Sequence, residues 1–208
     1  MRIRYVKRVR MSLALSEFQA SERDLPADIT LASWRDSLLD VHARVLHAAF
    51  CNDLDGRFFP TFRQYEACKG LVEATAYSQR WFKPGWLLLG SRASVDESGV
   101  PTRFYGAVHT TKTDRRVGEI QNISVLPGSR RRGYGRALLI GALLAFQRSR
   151  FKRVDLDVTA LNFGALRLYL GIGFREVGIS FTESFVDDAQ SDNYRVDDVP
   201  EEFVERVP

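Results

Sequence analysis

Arginines and glycines lie close together between a predicted strand and a predicted helix. They follow the pattern Arg130-x-x-Gly133-x-Gly135, and a turn at Pro127 and Gly128 precedes them. The first N–H groups of a helix have no partner inside the helix and carry a partial positive charge, so this position binds anions. The glycines leave the backbone accessible to a phosphate. The pattern predicts an anion cradle, most naturally for a pyrophosphate. A glycine turn with solvated arginines is the alternative.

A second group of chemically suited side chains lies in residues 51–60, between two predicted helices. Asp53 and Asp55 stand near Phe58 and Phe59. Acidic and aromatic groups together can receive a cationic amine. A solvated turn with two aromatic side chains packed inward explains the same pattern, so both interpretations stay open.

Alternating strands and helices surround the cradle. Residues 116–125 are predicted as a strand that leads into it, and residues 134–150 as an apolar helix that leaves it. Residues 153–159 give the next strand. Asn162 has the residue type of an N-cap and begins a short helix. Residues 174–183 give one or two last strands.

The first half of the chain predicts two helices. Ser33 is expected to cap a helix that ends at Phe50, and Thr61 with Gln64 to cap a second one. Residues 16–31 are polar and are predicted to be irregular. Two more strands are predicted at residues 86–90 and 103–111. The order of elements predicts a mixed α/β sheet covered by helices.

Residues 1–15 alternate between apolar and basic side chains, which predicts a half-buried strand. Its basic face contains Arg2, Arg4, Arg8 and Arg10. Such a row is more often the solvated face of a strand whose charges discourage edge pairing. Nucleic-acid binding is the weaker interpretation, because this face has no aromatic side chains on which bases could stack.

Composition and charge limit the classes of protein. A chain of 208 residues with a net charge of +4 is most simply one domain, predicted at residues 1–185. Residues 186–208 form an acidic tail with eight acidic side chains against two arginines, so the domain carries about +10. A basic domain suits a polyanionic ligand or a nucleic acid.

A membrane-spanning protein, a disulfide-stabilised protein and a metal-binding protein are three classes that the sequence does not favour. The longest apolar stretch, residues 137–146, is too short to span a bilayer, and no membrane partner is expected. Cys51 and Cys68 are interpreted as reduced thiols of a cytoplasmic protein. His47 and Cys51 are four residues apart, but no convincing further ligands lie nearby, so no metal is expected.

Two stretches together carry a resemblance to a known family. They are QNISVLPGSRRRGYGRALL at residues 121–139 and LDVTALNFGALRLYLGIGF at residues 156–174. In this order and at this separation they resemble the acetyl-CoA half of the GNAT superfamily of N-acetyltransferases. The resemblance covers residues 86–182. It implies a mostly antiparallel, twisted central sheet with a splayed strand pair, flanked by helices on both faces.

The resemblance also implies a cosubstrate site. The family's pyrophosphate loop corresponds to residues 130–135, and the strand that pairs with the pantetheine corresponds to residues 123–125. One backbone N–H on that strand, here that of Ile123, would hold the thioester carbonyl. The residues implied in binding acetyl-CoA are Ile123, Ser124, Val125, Arg130, Arg131, Arg132, Gly133, Tyr134, Gly135, Arg136 and Asn162.

Catalytic roles are implied by the resemblance for three residues. Tyr169 corresponds to the tyrosine that protonates the departing thiolate. Glu119 and Asp157 stand at positions where branches of the family carry a base, and Asp157 is one methylene shorter than the usual glutamate. These roles suit the chemistry, because an amine with a pKa of about 10 must lose a proton before it attacks. A core aromatic, a solvent-facing strand residue and a satisfied polar partner are the respective alternatives.

The implied function is direct acetyl transfer from acetyl-CoA to a primary amine of a small molecule, peptide or protein. A non-catalytic acyl-CoA-binding module and a nucleic-acid-binding protein are the alternatives. The sequence does not identify the acceptor. An exposed edge strand near the C-terminus could also pair two subunits as a homodimer, as in many relatives.

Overall fold

The structure, a computed structural model, describes residues 2–186. The predicted acidic tail therefore lies outside the described residues from residue 187 onward. The described strands are β1 (Arg2–Ala14), β2 (Ile29–Ser33), β3 (Leu87–Ser91), β4 (Phe104–Asp114), β5 (Val117–Val125), β6 (Arg153–Thr159) and β7 (Arg175–Val186). The described α-helices are α1 (Leu39–Phe50), α2 (Leu54–Phe58), α3 (Tyr65–Ala76), α4 (Tyr134–Arg148) and α5 (Phe163–Leu170).

The seven strands form one sheet in the order β2-β3-β4-β5-β6-β1-β7. Neighbours are antiparallel except β5 and β6, which are parallel. Helix α4 packs on one face so closely that a side chain at Gly118 of β5 would collide with the ring of Phe146. Helix α1 covers the other face, where His42 contacts His109 of β4. The predicted mixed sheet with helices on both faces is confirmed.

The N-terminal strand lies inside the sheet rather than at its edge. β1 pairs with β6 through Arg8 opposite Thr159, and with β7 through Arg8 opposite Ser180. The interpretation of its arginines as a solvated face that protects an edge is therefore wrong. The guanidinium groups of Arg8 and Arg10 can lie within the sheet because they contact acidic side chains of neighbouring elements.

The main core lies between the sheet and α4. The second half of the apolar face of β1, from Val9 to Leu13, is buried there as its alternation predicts, together with the apolar side of β6, whereas Tyr5 at the start of that face is exposed. Burial of large aliphatic side chains gives about 1.5–3 kcal/mol each and dominates the stability of such a core. Its fully buried members include Met11, Leu13, Leu138, Leu139, Leu143, Phe146, Val154 and Leu156.

The first half of the chain differs from its prediction in three places. Ser33 ends β2 instead of capping a helix, and this strand, Ile29–Ser33, begins within residues 16–31, which were predicted to be irregular. Helix α1 has no side-chain cap, and neither has α3, which begins after Gln64. The predicted loop at residues 51–60 contains α2, which Asp53 caps through the N–H of Leu54. A five-residue strand depends on long-range pairing with β3, which local patterns do not reveal.

Strand β7 forms an edge of the sheet. Its Val177, Ile179 and Phe181 side chains are exposed by 59%, 44% and 65%. Cys51 and Cys68 are both free thiols. Across residues 2–186, no helix is both long and apolar enough to cross a membrane, and no cluster of three or more metal-ligating side chains occurs.

Candidate active site

The sheet opens between its two parallel strands. β5 and β6 pair only from Val117 opposite Arg153 to Ile120 opposite Leu156. Beyond that point β5 continues beside β4, and β6 continues beside β1. An irregularity at Gln121 accompanies the divergence, because His109 pairs with Asn122 whereas Thr110 pairs with Ile120. A bulge of this kind bends a strand and redirects its side chains.

A cavity of about 330 Å³ occupies this opening. Its volume is at the small end of the range for ligand pockets. Its lining includes Ile123 of β5 and, from the region of α5, Asn162, Ala165 and Tyr169. Three phenylalanines also line it, Phe50, Phe59 and Phe62, and we call them the aromatic wall. Polar strand residues complete the lining, namely Arg8, Gln121, Asn122, Asp157, Thr159, Ser180 and Thr182, together with Asp55 of α2.

The predicted cradle lies between β5 and α4, and its backbone is left-handed at two positions. Arg131 has φ +64° and Gly133, the N-cap residue of α4, has φ +79°. A Cβ atom at Gly133 would meet no atom within 4 Å, so the glycine serves the backbone conformation and not a tight packing contact. Successive N–H groups in such a turn, at the start of a helix, form a concave anion-binding surface.

The arginines around the cradle differ in their contacts. Arg131 and Arg132 are exposed. Arg130 instead points toward the first helices: its guanidinium donates to the carbonyls of Val125 at 3.2 Å and Ala49 at 2.8 Å, and to the Asp53 carboxylate at 3.0 Å. Arg136 donates to the carbonyl of Gly171, and the Tyr134 hydroxyl donates to Asp28.

Helix α5 positions two of the predicted site residues. Asn162 caps the helix, because its side-chain oxygen accepts from the N–H of Ala165 at 3.1 Å. The ring of Tyr169, about two turns further along the same helix, is 8% exposed and lines the cavity. Burial raises the pKa of Tyr169 above its usual range, with Asp55 adding to the shift and Arg8 opposing it. The phenol is therefore protonated at neutral pH.

Three side chains of the cavity lining form a bonded group that we call the polar cluster: Arg8, Asp55 and Thr159. The Thr159 hydroxyl donates to Asp55 Oδ1 at 2.6 Å and accepts from Arg8 Nη1 at 2.8 Å. Arg8 Nη2 donates to the carbonyl of Asp157 at 2.8 Å, and Arg8 Nη1 lies 3.8 Å from Asp55 Oδ1. The side chains of Arg8 and Asp55 are only 19% and 16% exposed, so their charges interact in a partly dry environment.

The two predicted base candidates have different surroundings. Asp157 lines the cavity, and its Oδ2 lies 3.3 Å from Arg10 Nη1. Glu119 lies outside the lining. Its Oε2 accepts from Arg80 at 2.9 Å, from the Thr111 hydroxyl at 3.0 Å and from the Gln121 amide at 2.8 Å. The structure thus brings Ile123, Asp157, Asn162 and Tyr169 to one cavity, whereas Glu119, Ser124, Val125 and residues 130–136 do not line it.

A histidine pair lies behind the aromatic wall and away from the cavity. His42 Nδ1 and His109 Nε2 are 3.0 Å apart, and both side chains are buried among Trp34, Trp81 and Trp86. Burial lowers the pKa of His109 to about 3. Burial, reinforced by His109, also lowers the pKa of His42 well below its usual value.

Sequence reasoning missed several lining residues. Arg8 was interpreted as a solvated strand residue, and Thr159, Phe50 and Phe62 received no role. Arg8 and Thr159 are 151 residues apart, and Thr159 and Asp55 are 104 apart, so no local spacing connects them. The acidic and aromatic composition of residues 51–60 was the one usable signal, and it pointed to Asp55 and Phe59.

Comparison with known proteins gives a family match. The family model described as the acetyltransferase (GNAT) family matches residues 55–174, which is more than half of the chain. A solved structure of a GCN5-related N-acetyltransferase from Sphaerobacter thermophilus superposes with a TM-score of 0.65 at 21% identity. That superposition covers 89% of this chain and 55% of the other, and at this identity it shows the fold alone.

Curated relatives carry one name. The mycothiol acetyltransferase of Propionibacterium freudenreichii subsp. shermanii is 28% identical over 171 residues, which are 82% of this chain and 51% of the relative. The mycothiol acetyltransferase of Clavibacter sepedonicus is 28% identical over 178 residues, 86% of this chain and 53% of the relative. The chain therefore spans about half the length of these relatives.

Proposed function

Because the chain belongs to the acetyltransferase (GNAT) family, we propose that it moves an acetyl group from acetyl-CoA to a primary amine by direct attack. One observation carries this proposal. A single cavity is lined by Ile123, Asn162 and Tyr169 and also by the carboxylates of Asp55 and Asp157. Groups suited to hold a thioester and groups suited to hold an amine therefore share one cavity at the gap between β5 and β6.

The cradle fits the phosphates of acetyl-CoA. The left-handed backbone at Arg131 and Gly133 and the open space beside Gly133 let an anion approach the N–H groups at the start of α4. The exposed guanidinium groups of Arg131 and Arg132 add positive charge. Arg130 would contribute after it leaves Asp53. Residues 123–125 would pair with the pantetheine, beside Asn162.

Bound acetyl-CoA would supply an activated acetyl thioester at the β5–β6 gap. The Ile123 N–H is proposed to donate to the carbonyl oxygen, which gains negative charge as the amine nitrogen bonds to the acetyl carbon. Tyr169 is proposed to donate its proton to sulfur as the carbon–sulfur bond breaks. Its raised pKa favours the protonated phenol that this role requires. One proton is released in total, because the amine enters as an ammonium.

Asp157 is our first candidate for the base. Its carboxylate lines the cavity. Oδ2 lies 3.3 Å from Arg10 Nη1, so Oδ1 is the oxygen that would accept the proton of the amine. Glu119 stays a candidate, although three hydrogen bonds hold its Oε2 outside the cavity and a water or a rearrangement would have to connect it to the amine.

The proposal is tested by turnover. The protein is incubated with acetyl-CoA and a panel of small amines, and free thiol and acetylated amine are both measured. We expect thiol release that depends on an amine and matches the acetylated product. Binding of acetyl-CoA without product, with indifference to Tyr169→Phe, Glu119→Gln and Asp157→Asn, would establish a non-catalytic acyl-CoA-binding module instead.

Mycothiol acetyltransferases are the named relatives, so a thiol-containing amine of low molecular mass belongs in that panel beside peptide amines.

We also propose that β7 pairs with β7 of a second copy, since its edge exposes Val177, Ile179 and Phe181. Light scattering checks this: a monomeric mass that Phe181→Lys leaves unchanged would contradict the pairing.

A further inference from the structure

We infer that the acceptor of this transferase is a primary amine with an apolar group, aromatic or bulky aliphatic, and without a carboxylate beside the amine. The inference rests on the proposed function and names its substrate class. The apolar group would pack on the aromatic wall, and the ammonium would lie between Asp55 and Asp157.

The charges of the cavity favour a cation. Its charged lining residues are Asp55, Asp157 and Arg8, which together give a net charge of −1, and Arg10, outside the lining, offsets part of the charge of Asp157 from 3.3 Å. Asp55 Oδ1 accepts the Thr159 hydroxyl, and within residues 5–184 no donor is found on Oδ2. An ammonium that approaches this side of the cavity therefore finds an oxygen ready to accept a charge-assisted hydrogen bond.

The Arg8 guanidinium is already engaged by groups of the protein. Nη1 donates to Thr159 and Nη2 to the carbonyl of Asp157. The guanidinium also lies over the Phe59 ring, 5.2 Å from the ring centroid. A carboxylate next to the acceptor amine would have to compete with these contacts for Arg8, and it would lie near Asp55 and Asp157, where like charges repel in a partly dry site.

The aromatic wall gives the second half of the recognition. The rings of Phe50 and Phe62 have centroids 4.9 Å apart, and Phe59 meets Phe62 edge-on at 6.2 Å. All three side chains are only half-buried although they belong to a cavity. An apolar group that covers them removes apolar surface from water, and aromatic rings prefer such offset or edge contacts.

Three probe amines separate these features. 2-Phenylethylamine has both the ring and the isolated amine, ethylamine lacks the ring, and L-phenylalanine adds a carboxylate. We expect kcat/KM for 2-phenylethylamine to exceed that for ethylamine by about tenfold to a hundredfold, since burial of a phenyl group has that effect on affinity. We expect L-phenylalanine to be at least about tenfold poorer than 2-phenylethylamine. Equal values for the three probes, or a preference for L-phenylalanine, would overturn the inference.

Variants assign the preference to residues. Phe62→Ala should lower the preference for 2-phenylethylamine over ethylamine by about tenfold. Phe62→Leu keeps the packing against Phe50 and serves if the alanine variant does not fold. Asp55→Asn should weaken both amines alike. The matched controls lie outside the cavity, on exposed positions at Tyr77 and Glu73: Tyr77→Ala and Glu73→Gln should change neither value. A preference that survives in every Phe62 variant would overturn the aromatic contact.

A binding measurement separates failure of this inference from failure of the proposed function. Calorimetric titration of 2-phenylethylamine is carried out with saturating coenzyme A present. Binding that Asp55→Asn weakens, without turnover, would support the acceptor class and contradict the acetyl transfer. Turnover of other amines, with no binding of 2-phenylethylamine, would leave acetyl transfer standing and overturn the inference.

Discussion

The polar cluster lines the cavity and the cradle lies outside its lining, and the two regions obtain their properties in different ways. The cradle is one continuous segment whose chemistry comes from backbone conformation at Arg131 and Gly133, and the Arg131 and Arg132 side chains are exposed. The polar cluster joins a residue from β1, one from α2 and one from β6, and its side chains bond to one another. A substitution in the cradle should therefore weaken ligand binding, whereas loss of a side chain of the polar cluster should lower the stability of the fold.

The largest expected effect concerns Tyr169 on helix α5. Tyr169→Phe removes the proposed proton donor but keeps the ring that lines the cavity. We expect kcat to fall by about 10²- to 10⁴-fold, with little change in the affinity for acetyl-CoA. Thiol release and a thermal-shift titration measure the two quantities, and Tyr77→Phe at an exposed position is the control. A kcat within twofold of the wild type would exclude Tyr169 as the acid.

Acid sensitivity should originate behind the aromatic wall and not at the cradle. His42 and His109 have lowered pKa values in the folded protein and about 6.5 when unfolded, so the unfolded chain binds more protons below pH 6.5. The contribution of the two histidines to stability is fully present above pH 6.5 and is lost as the pH falls below it, by up to about 1.4 kcal/mol per pH unit for each histidine. Urea unfolding from pH 6.5 to 5 measures this slope.

A histidine variant locates that sensitivity. His109→Asn removes one of the two buried histidines and should roughly halve the slope of stability against pH. If His109→Asn left the slope as it is in the wild type, the acid sensitivity would have another origin.

Matched arginine variants compare the cradle with the polar cluster directly. Arg8→Met leaves Asp55 without its guanidinium and should lower the free energy of unfolding by about 2 kcal/mol. Arg131→Met, on the exposed surface, should change it by less than about 0.5 kcal/mol. It should instead weaken acetyl-CoA binding severalfold. Chemical unfolding and ligand titration of both variants measure the two effects. The comparison fails if both variants lose stability equally.

The smallest expected effect concerns the ion pair that connects the cradle to the helix carrying Asp55. Arg130 donates to Asp53, which also caps α2, the helix that carries Asp55. Asp53→Asn keeps an N-cap residue but removes the competing charge, so acetyl-CoA should bind about two- to fivefold more tightly. Glu22→Gln, in a surface ion pair with Arg148 away from the cavity, is the control. Unchanged or weaker binding in Asp53→Asn would show that Asp53 does not compete for Arg130.

The same difference explains what sequence could predict. The strand, turn and helix around the cradle follow from contiguous patterns, and β5, α4, β6 and α5 lie close to their predicted bounds. Asn162 caps α5 as predicted, because an N-cap is a local interaction. The insertion of β1 between β6 and β7 depends on pairing between the two ends of the described chain. No local pattern encodes such pairing, so Arg8 and Thr159 were not recognised as cavity residues.

The roles assigned to individual side chains stay predictions of different kinds. For Tyr169 and Asp157 they agree with a position in the cavity lining. For Glu119 the role requires a proton path from the amine to a carboxylate that lies outside the cavity and is bound by Arg80, Thr111 and Gln121. Spacing along a strand fixes which face a residue occupies, but not which neighbours satisfy its charge.

A thermal-shift titration with acetyl-CoA tests the central claim most directly. It compares the wild type with Gly133→Glu, at the left-handed N-cap of α4, and with Gly128→Glu, in the same loop. A Cβ atom would meet nothing within 4 Å at either glycine, so neither change creates a packing clash. A ligand that binds only the folded state raises the melting temperature. We predict a shift for the wild type and Gly128→Glu and none for a folded Gly133→Glu. No shift for the wild type at high ligand concentration, or an equal shift for Gly133→Glu, would contradict the account.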